Sequence, residues 1–376
     1  MRGGIQLQLL IGPVPIPAPR EVVEALASVK VQMGSGESQG GFEMSFDLPP
    51  RSPLRTLFLI SGGGGGGVPL MRVVLVVIID GRSESIVDGI ATNVETAPGA
   101  GGIGQLVVKG KDLSALMQVI DFPSLPYPAM PPSLRVLTIL TKYAALGVIP
   151  LVIPSLVDEP PLPTKRIPLQ RGNDYEYVQQ LARESGYVFY FEPGPVPGTS
   201  KAYWGPEIRI GIPQPALTTG MDALTNVENI SFNFDRQRKD MPVVYFQESV
   251  SKVGIPIPVP DLNPLAPPLG LIPPLPPNIR KLDDTAHLTT GAAFMRGLAH
   301  AAAHSDSVFG SGQLDVARYG RVLKSRALVG VRGAGTPFDG LYYVKSVNHD
   351  IQRGSYKQSF ELARNGLIST VPAVPV

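Results

Sequence analysis

The feature that most constrains this chain is a strict two-residue alternation close to its C-terminus. Tyr356, Gln358, Phe360 and Leu362 share one parity, and Ser355, Lys357, Ser359 and Glu361 share the other. That is the period of a strand with one dry face and one wet face. Upstream, the segment from Phe338 is rich in Tyr and Val, and Gln352-Arg353-Gly354 supplies the glycine of a tight reversal. The stretch therefore reads as a β-hairpin. It holds no catalytic constellation.

A chain of 376 residues is long enough for two or three domains with their own cores. Lys and Arg number 33 against 31 Asp and Glu, a net charge of +2, so no strong field nominates nucleic acid or any other charged partner. Cysteine is absent, which removes disulfide frameworks, thiolate metal sites and cysteine nucleophiles and suits a protein folded in a reducing cytoplasm or one that must tolerate any redox state. Charged residues make up only 17% of the chain, below the roughly 25% of ordinary soluble domains. A surface this short of charge is expected to be covered by something. The apolar runs Val73–Ile79 and Val136–Val157, the second interrupted by Lys142, Pro150 and Pro154, fall short of the roughly 20 residues of a membrane span. The N-terminus also lacks the pattern of a signal peptide.

Taken in order, residues 1–113 read as a first β-domain, with strands at Ile5–Ile11, Val22–Met33, Phe42–Leu48, Met71–Asp80, Ser83–Glu95 and Gln105–Lys109. A loop of consecutive glycines, Gly62–Gly67, lies inside it. Val73–Ile79 has no polar alternation, as in a strand buried on both faces or at an interface. Residues 114–169 read as a helical and proline-rich connection, with Ser133 as the N-cap of a helix stopped by Gly147. Residues 170–225 form a small α/β domain, opened by an Asn173/Glu176 capping box and closed by Gly186 before an aromatic strand. Residues 226–376 read as a second β-domain, with a hairpin joining Ile230–Phe234 to Val243–Phe246. It carries a proline-rich insertion at 254–279, a helix at 285–303 and strands at Gly320–Val331. The insertion holds ten prolines in 26 residues, interleaved with Ile, Val and Leu, a composition that docks on a surface, either a neighbour's or its own domain's. Val87-Asp88-Gly89-Ile90 and Phe338-Asp339-Gly340-Leu341 form a short internal echo, consistent with two variants of one β-unit.

The motif matches carry little chemistry. Gly36-Glu37-Ser38-Gln39-Gly40 fits G-x-S-x-G, but a strand follows it where a nucleophile elbow needs a helix. Gly99, Gly101 and Gly104 fit G-x-G-x-x-G, again with a strand after them and no helix N-terminus for a phosphate. Gly110-Lys111 is followed by Asp112, not the Ser or Thr of a phosphate loop. His300 and His304 have metal-ligand spacing on a helix, but Ala301 stands where a metalloprotease needs its glutamate, and only His287 and His349 remain as further imidazoles. Asp283-Asp284 and Asp158-Glu159 are read as solvated pairs, and Tyr203 and Trp204 as core or interface anchors. The reading is therefore of no catalytic residue, no cofactor site and no metal site.

The closing stretch, with Arg318-Tyr319-Gly320-Arg321-Val322 before it, resembles the C-terminal part of the phage late control D family of contractile-tail baseplate hubs, similar to the N-terminal hub part of type VI secretion spike proteins. Residues 171–190, from Arg171-Gly172-Asn173 to Phe189-Tyr190, resemble that family's middle domain. The resemblance implies a β-rich α+β fold: two tube-like β-barrel domains with an intervening small α/β domain, assembling as a pseudo-sixfold trimeric ring. It implies a non-enzymatic hub that adapts the hexameric inner tube to a trimeric spike, built in the bacterial cytoplasm into a phage tail or injection particle. The partners so implied are a homotrimer, the tube-initiator protein above and a separate spike polypeptide below, with tape-measure and wedge proteins as further neighbours. A tail-associated cell-wall hydrolase is the alternative. In the hub, the Tyr356, Phe360 and Leu362 face packs inside the second β-domain, and Lys357, Ser359 and Glu361 line or flank the channel.

Overall fold

The computed structural model describes residues 4–33, 39–48, 71–98, 104–155, 158, 160–164, 167–247, 254–260, 263, 265–274, 278–283 and 290–371. The Gly62–Gly67 loop lies outside them. Among the described residues no helix is long and apolar enough to cross a membrane.

The first β-unit comprises β1 (Gln6–Ile11), β2 (Leu26–Met33), β3 (Gly41–Leu48), β4 (Arg72–Ile79), β5 (Arg82–Pro98) and β6 (Gly104–Asp112). Their order across the sheet is β2-β3-β6-β5-β4-β1. β4 is buried on both faces, with Val73, Val74, Leu75, Val76 and Val77 all at 2% exposure or less, as its unbroken apolar run requires. One expected strand is shorter than predicted: residues Arg20–Ala25 form a helical turn, and only Leu26–Met33 of the 22–33 segment is extended. Pro19, extended at φ −54°, precedes that turn, and Val22 and Val23 both donate to its carbonyl.

The middle region begins with a 3-10 turn over Leu113–Gln118, capped by the Asp112 carboxylate accepting from the Ser114 amide. It continues through β7 (Asp121–Pro126), α1 (Pro132–Thr141), β8 (Val148–Val152), β9 (Leu169–Asn173), α2 (Asp174–Ser185), β10 (Val188–Pro193) and β11 (Ser200–Gly205). α2 starts where the Asn173 side chain accepts from the Glu176 amide at 2.9 Å. It stops at Gly186, whose φ of +68° lets Tyr187 donate to Ala182 and Gly186 to Arg183, a Schellman ending. Ser133 is not the N-cap of α1. It sits in the first turn, and its amide and hydroxyl both donate to Asp158, which does the capping from a distance and is not a solvated carboxylate. The proposed boundary at 169/170 crosses a shared interior: β9 pairs with β7, β8 with β11, and Val136, Ile139 and Leu140 of α1 share one core with Val178 and Leu181 of α2, Phe189 and Trp204.

The second β-unit comprises β12 (Gln214–Thr218), β13 (Val227–Phe234), β14 (Asp240–Gln247), α3 (Thr290–Ala303), β15 (Val308–Asp315), β16 (Leu328–Arg332), β17 (Gly340–Gln352) and β18 (Ser355–Arg364). β12, expected in the small α/β domain, pairs here with β16. The 320–331 strand is confined to β16, and the helix over 285–303 is described from Thr290. The expected hairpin between Ile230–Phe234 and Val243–Phe246 does not form. β13 pairs with β15, while β14 joins Gly254–Pro258 and Asn278–Lys281 in a separate three-stranded sheet against which α3 packs. Alternation fixes that both are strands, not that sequence neighbours pair. The described parts of the proline-rich insertion dock on their own chain: besides those strands, Gly270–Ile272 pairs with Leu367–Ser369.

β17 and β18 form the hairpin read from sequence, turning at Gly354 with φ +79°. Tyr356, Gln358, Phe360 and Leu362 are all at 2% exposure or less, and Ser359 and Glu361 are exposed. The sheet order of the unit is β13-β15-β18-β17-β16-β12, which repeats that of the first unit strand for strand. The registers agree as well. β5 follows β4 as far as Ile90 and bulges at Thr92; β17 follows β16 as far as Tyr343 and bulges at Lys345. The row Val29, Met44, Val108, Val94 across one unit matches Ile230, Gly312, Phe360, Val347 across the other. One neighbour differs in direction, β1 being antiparallel to β4 and β12 parallel to β16. The echo at 88–89 and 339–340 is out of this register, since Gly340 opens β17 whereas Gly89 lies one residue before β5 leaves β4. The repeat resides in topology, not in those residues.

The two units are one continuous 13-stranded sheet, because the second half of β17 pairs with β2 from Val347–Met33 to Gln352–Ser28. A single apolar core runs under both, from Leu9 and Val29 to Phe360 and Leu362.

Candidate functional site: the polar face of the joined sheet

Because every strand of the join alternates, all the side chains opposite the core emerge on one face. Along one row they are Asp315, Lys357, Asp350, Lys30, Glu43, Lys109 and Asn93, each the cross-strand partner of the next. The signs alternate from Asp315 to Lys109 across the join between the units. Opposite charges facing one another across a sheet each contribute roughly 0.2–1 kcal/mol, and within the row three acidic side chains face three basic ones. Lys109 pairs with Glu95 at 3.1 Å and Lys357 with Glu228 at 2.8 Å, all four side chains being 31–48% exposed. The hydrogen bond to Glu228 raises the Lys357 ammonium above its ordinary value. Ser346 donates to Glu361 at 2.8 Å. Lys357, Ser359 and Glu361 thus stand on a solvated polar surface, where Glu95, Glu228 and Glu361 add acidic side chains beside the balanced row.

Buried ion pairs hold this sheet to the middle region. Arg72 makes a bidentate pair with Asp88, both bonds 2.7 Å, and also donates to the carbonyls of Leu146 and Gly198, while Ser200 donates to Asp88. Arg209 bonds Asp306 and Glu207 and lies over the Tyr343 ring, with Lys345 at 3.5 Å from Asp306. Arg72 has all its partners, whereas Arg209 Nε is buried without one; both pairs lie inside the fold and are structural. Removing one member of such a buried pair typically costs about 3–5 kcal/mol.

The residues singled out from sequence fall in scattered places. Gly36 and Ser38 of the G-x-S-x-G match, Gly99 and Gly101 of the glycine motif, and Glu159, Asp284 and His287 lie outside the described residues. Gly40 donates to the Asp112 carboxylate at 2.7 Å; burial raises that carboxyl, against the bonds from Ser114 and Gly40. Gly110 is needed because a Cβ there would meet the Phe42 ring at 2.2 Å. Asp283 is exposed. Trp204 is fully buried with Tyr187 edge-on at 4.8 Å, and Tyr203 stacks on Tyr190. His349 is in the core beside Tyr356. His300 and His304 are adjacent, and Asp240 joins them, a residue that no spacing in the sequence could have paired with them.

No family model matches the sequence, and no curated protein matches it. Solved structures do share its fold. The tail protein from Neisseria meningitidis MC58 superposes with a TM-score of 0.64 at 12% identity, over 97% of this chain and 98% of that one. The 43 kDa tail protein of prophage MuSo2 from Shewanella oneidensis gives 0.60 at 14% identity, over 96% and 99%. The E. coli c3393 protein, described as a component of the type VI secretion system with structural similarity to the T4 tail proteins gp27 and gp5, gives 0.53 at 11% identity, over 100% and 81%. The fold of this chain is that of phage tail proteins and of spike-related secretion proteins.

Proposed function

We propose that this protein is a structural, non-enzymatic hub of a contractile tail or injection particle, a trimeric ring that adapts a hexameric inner tube to a trimeric spike. The single observation that carries the reading is the internal repeat. Two units of one topology and one register, joined edge to edge inside a chain, make a third of a ring that three copies complete as six. Each end offers what the join uses. Among the described residues, β5 beyond the bulge has no strand on the edge that β17 gives to β2, and β13, the counterpart of β2, has no strand on its outer edge.

Carrying the register of the join over to these edges pairs Val94 with Phe234, Glu95 with Asn233 and Pro98 with Ile230 of the next copy. Ile230, Phe232, Phe234 and Val94 are only partly buried against the core, as edge residues awaiting a neighbour are. A head-to-tail contact of this kind closes into a ring when its rotation allows. The polar face, with its row of alternating charges, then lines the lumen.

The test is the mass of the purified chain and its capture of tube and spike proteins encoded with it. Three copies per particle and binding of both partners are the expected results. A monomer that binds neither would overturn the reading.

A further inference from the structure

A different feature lies away from the sheet, in the insertion between β13 and β15, and does not depend on the hub reading. We propose that Asp240, His300 and His304 form a binding site for a divalent transition metal of the zinc class, which pins α3 to the first residue of β14. The three side chains each offer a ligand atom, and these atoms lie within 4.8 Å of one another. His300 lies in the last turn of α3 and His304 just past its end, its amide still donating to the His300 carbonyl, and their rings stack at 4.2 Å. Asp240 comes from β14, 60 residues earlier in the chain, with Oδ2 at 3.7 Å from His300 Nε2. Around a tetrahedral zinc with bonds of about 2.0–2.1 Å, ligand atoms sit about 3.3 Å apart. Small rotamer changes close the gap.

Two details favour a metal over a plain polar cluster. First, His300 Nε2 is buried with no hydrogen-bond partner, and a buried polar atom without a partner costs about 1–3 kcal/mol. Second, His304 Nδ1 lies 2.9 Å from the His300 carbonyl oxygen. A carbonyl only accepts, so Nδ1 carries the hydrogen and the Nε2 lone pair is left free, the arrangement by which backbone carbonyls orient ligating histidines. Two imidazoles select zinc, nickel or copper over calcium and magnesium, and three protein ligands leave one position for water. His300 also lines a cleft of about 800 Å³ that gives an ion its entry path. The competitor is Arg280, whose Nε is 3.5 Å from Asp240 Oδ2 and whose side chain is 61% exposed. It swings into solvent when the ion binds.

The experiment is titration of the metal-free full chain with Zn²⁺ by competition against a chromophoric chelator, with Co²⁺ as the spectroscopic probe. Wild type should bind one Zn²⁺ per chain and give the intense visible bands of tetrahedral Co²⁺. Asp240→Asn and His304→Gln should each weaken binding more than about 100-fold, beyond the roughly 10–100-fold that second-shell changes cost. Arg280→Ala should bind Zn²⁺ more tightly than wild type, a gain that damage to the fold cannot produce. No stoichiometric Zn²⁺ binding by the folded wild type would overturn the proposal. So would wild-type affinity in both ligand variants, or an Arg280→Ala variant that binds no tighter.

Discussion

At the scale of single residues, the dry face of the C-terminal strand pair includes polar groups that only the packing explains. His349 is 3% exposed, with Nδ1 at 2.7 Å from the Tyr356 hydroxyl and Nε2 buried without a partner. Burial lowers its pKa to about 4 from the ordinary 6.5. Because the folded value is depressed, the unfolded chain takes up the proton first as pH falls. The neutral ring's contribution is fully present above pH 6.5 and is lost between 6.5 and 4. Linkage makes the loss about 3 kcal/mol. His349→Gln should therefore flatten the fall in thermal midpoint between pH 7 and pH 4.5, and a variant as acid-sensitive as wild type would refute the assignment. The sequence marked residue 349 only as a spare imidazole in a strand. It could not show that an imidazole there would be dry.

At the scale of elements, strand existence was legible and strand partnership was not. β4, β6 and the β17–β18 hairpin stand where apolar runs and alternation put them, and α2 stands between its capping Asn173 and its terminating Gly186. The Ile230–Val243 hairpin failed because β13 takes a partner from beyond a long insertion. The proline-rich insertion was readable as a docking segment, but its dock was not. Its Gly270–Ile272 strand is held by Asn365, whose side-chain oxygen accepts from the amides of both Leu269 and Gly270. A Cβ at position 270 would meet the Gly366 carbonyl oxygen at 2.3 Å. Asn365→Ala leaves two amides short of an acceptor, at about 1–3 kcal/mol. Limited proteolysis should cut this variant within 259–274 faster than wild type while the β-units stay intact. Equal cutting rates would show that the arm is held elsewhere.

At the scale of the whole molecule, the repeat makes a prediction about assembly that a cysteine-free chain tests cleanly. A double variant, Glu95→Cys with Asn233→Cys, puts one thiol on the free edge of β5 and one on that of β13, paired only between copies. Under oxidation it should give a covalent trimer on denaturing gels. Glu95→Cys with Asn229→Cys, about 13 Å out of register along the strand, should crosslink poorly. Equal crosslinking of the two pairs would reject the edge-to-edge register, and crosslinked dimers without trimers would reject ring closure.

What the sequence determined by itself was local: which segments are extended, where α2 starts and stops, and which face of the last long strand is dry. These follow from period, propensity and capping, all of which act over a few residues. The tertiary structure alone decided that the two β-units share one topology and one core, that β17 joins β2 at the seam, that charge alternates across that seam, and that Asp240 meets His300 and His304. Each depends on contacts between residues far apart in the chain, and side-chain alternation is the same whichever strand lies alongside.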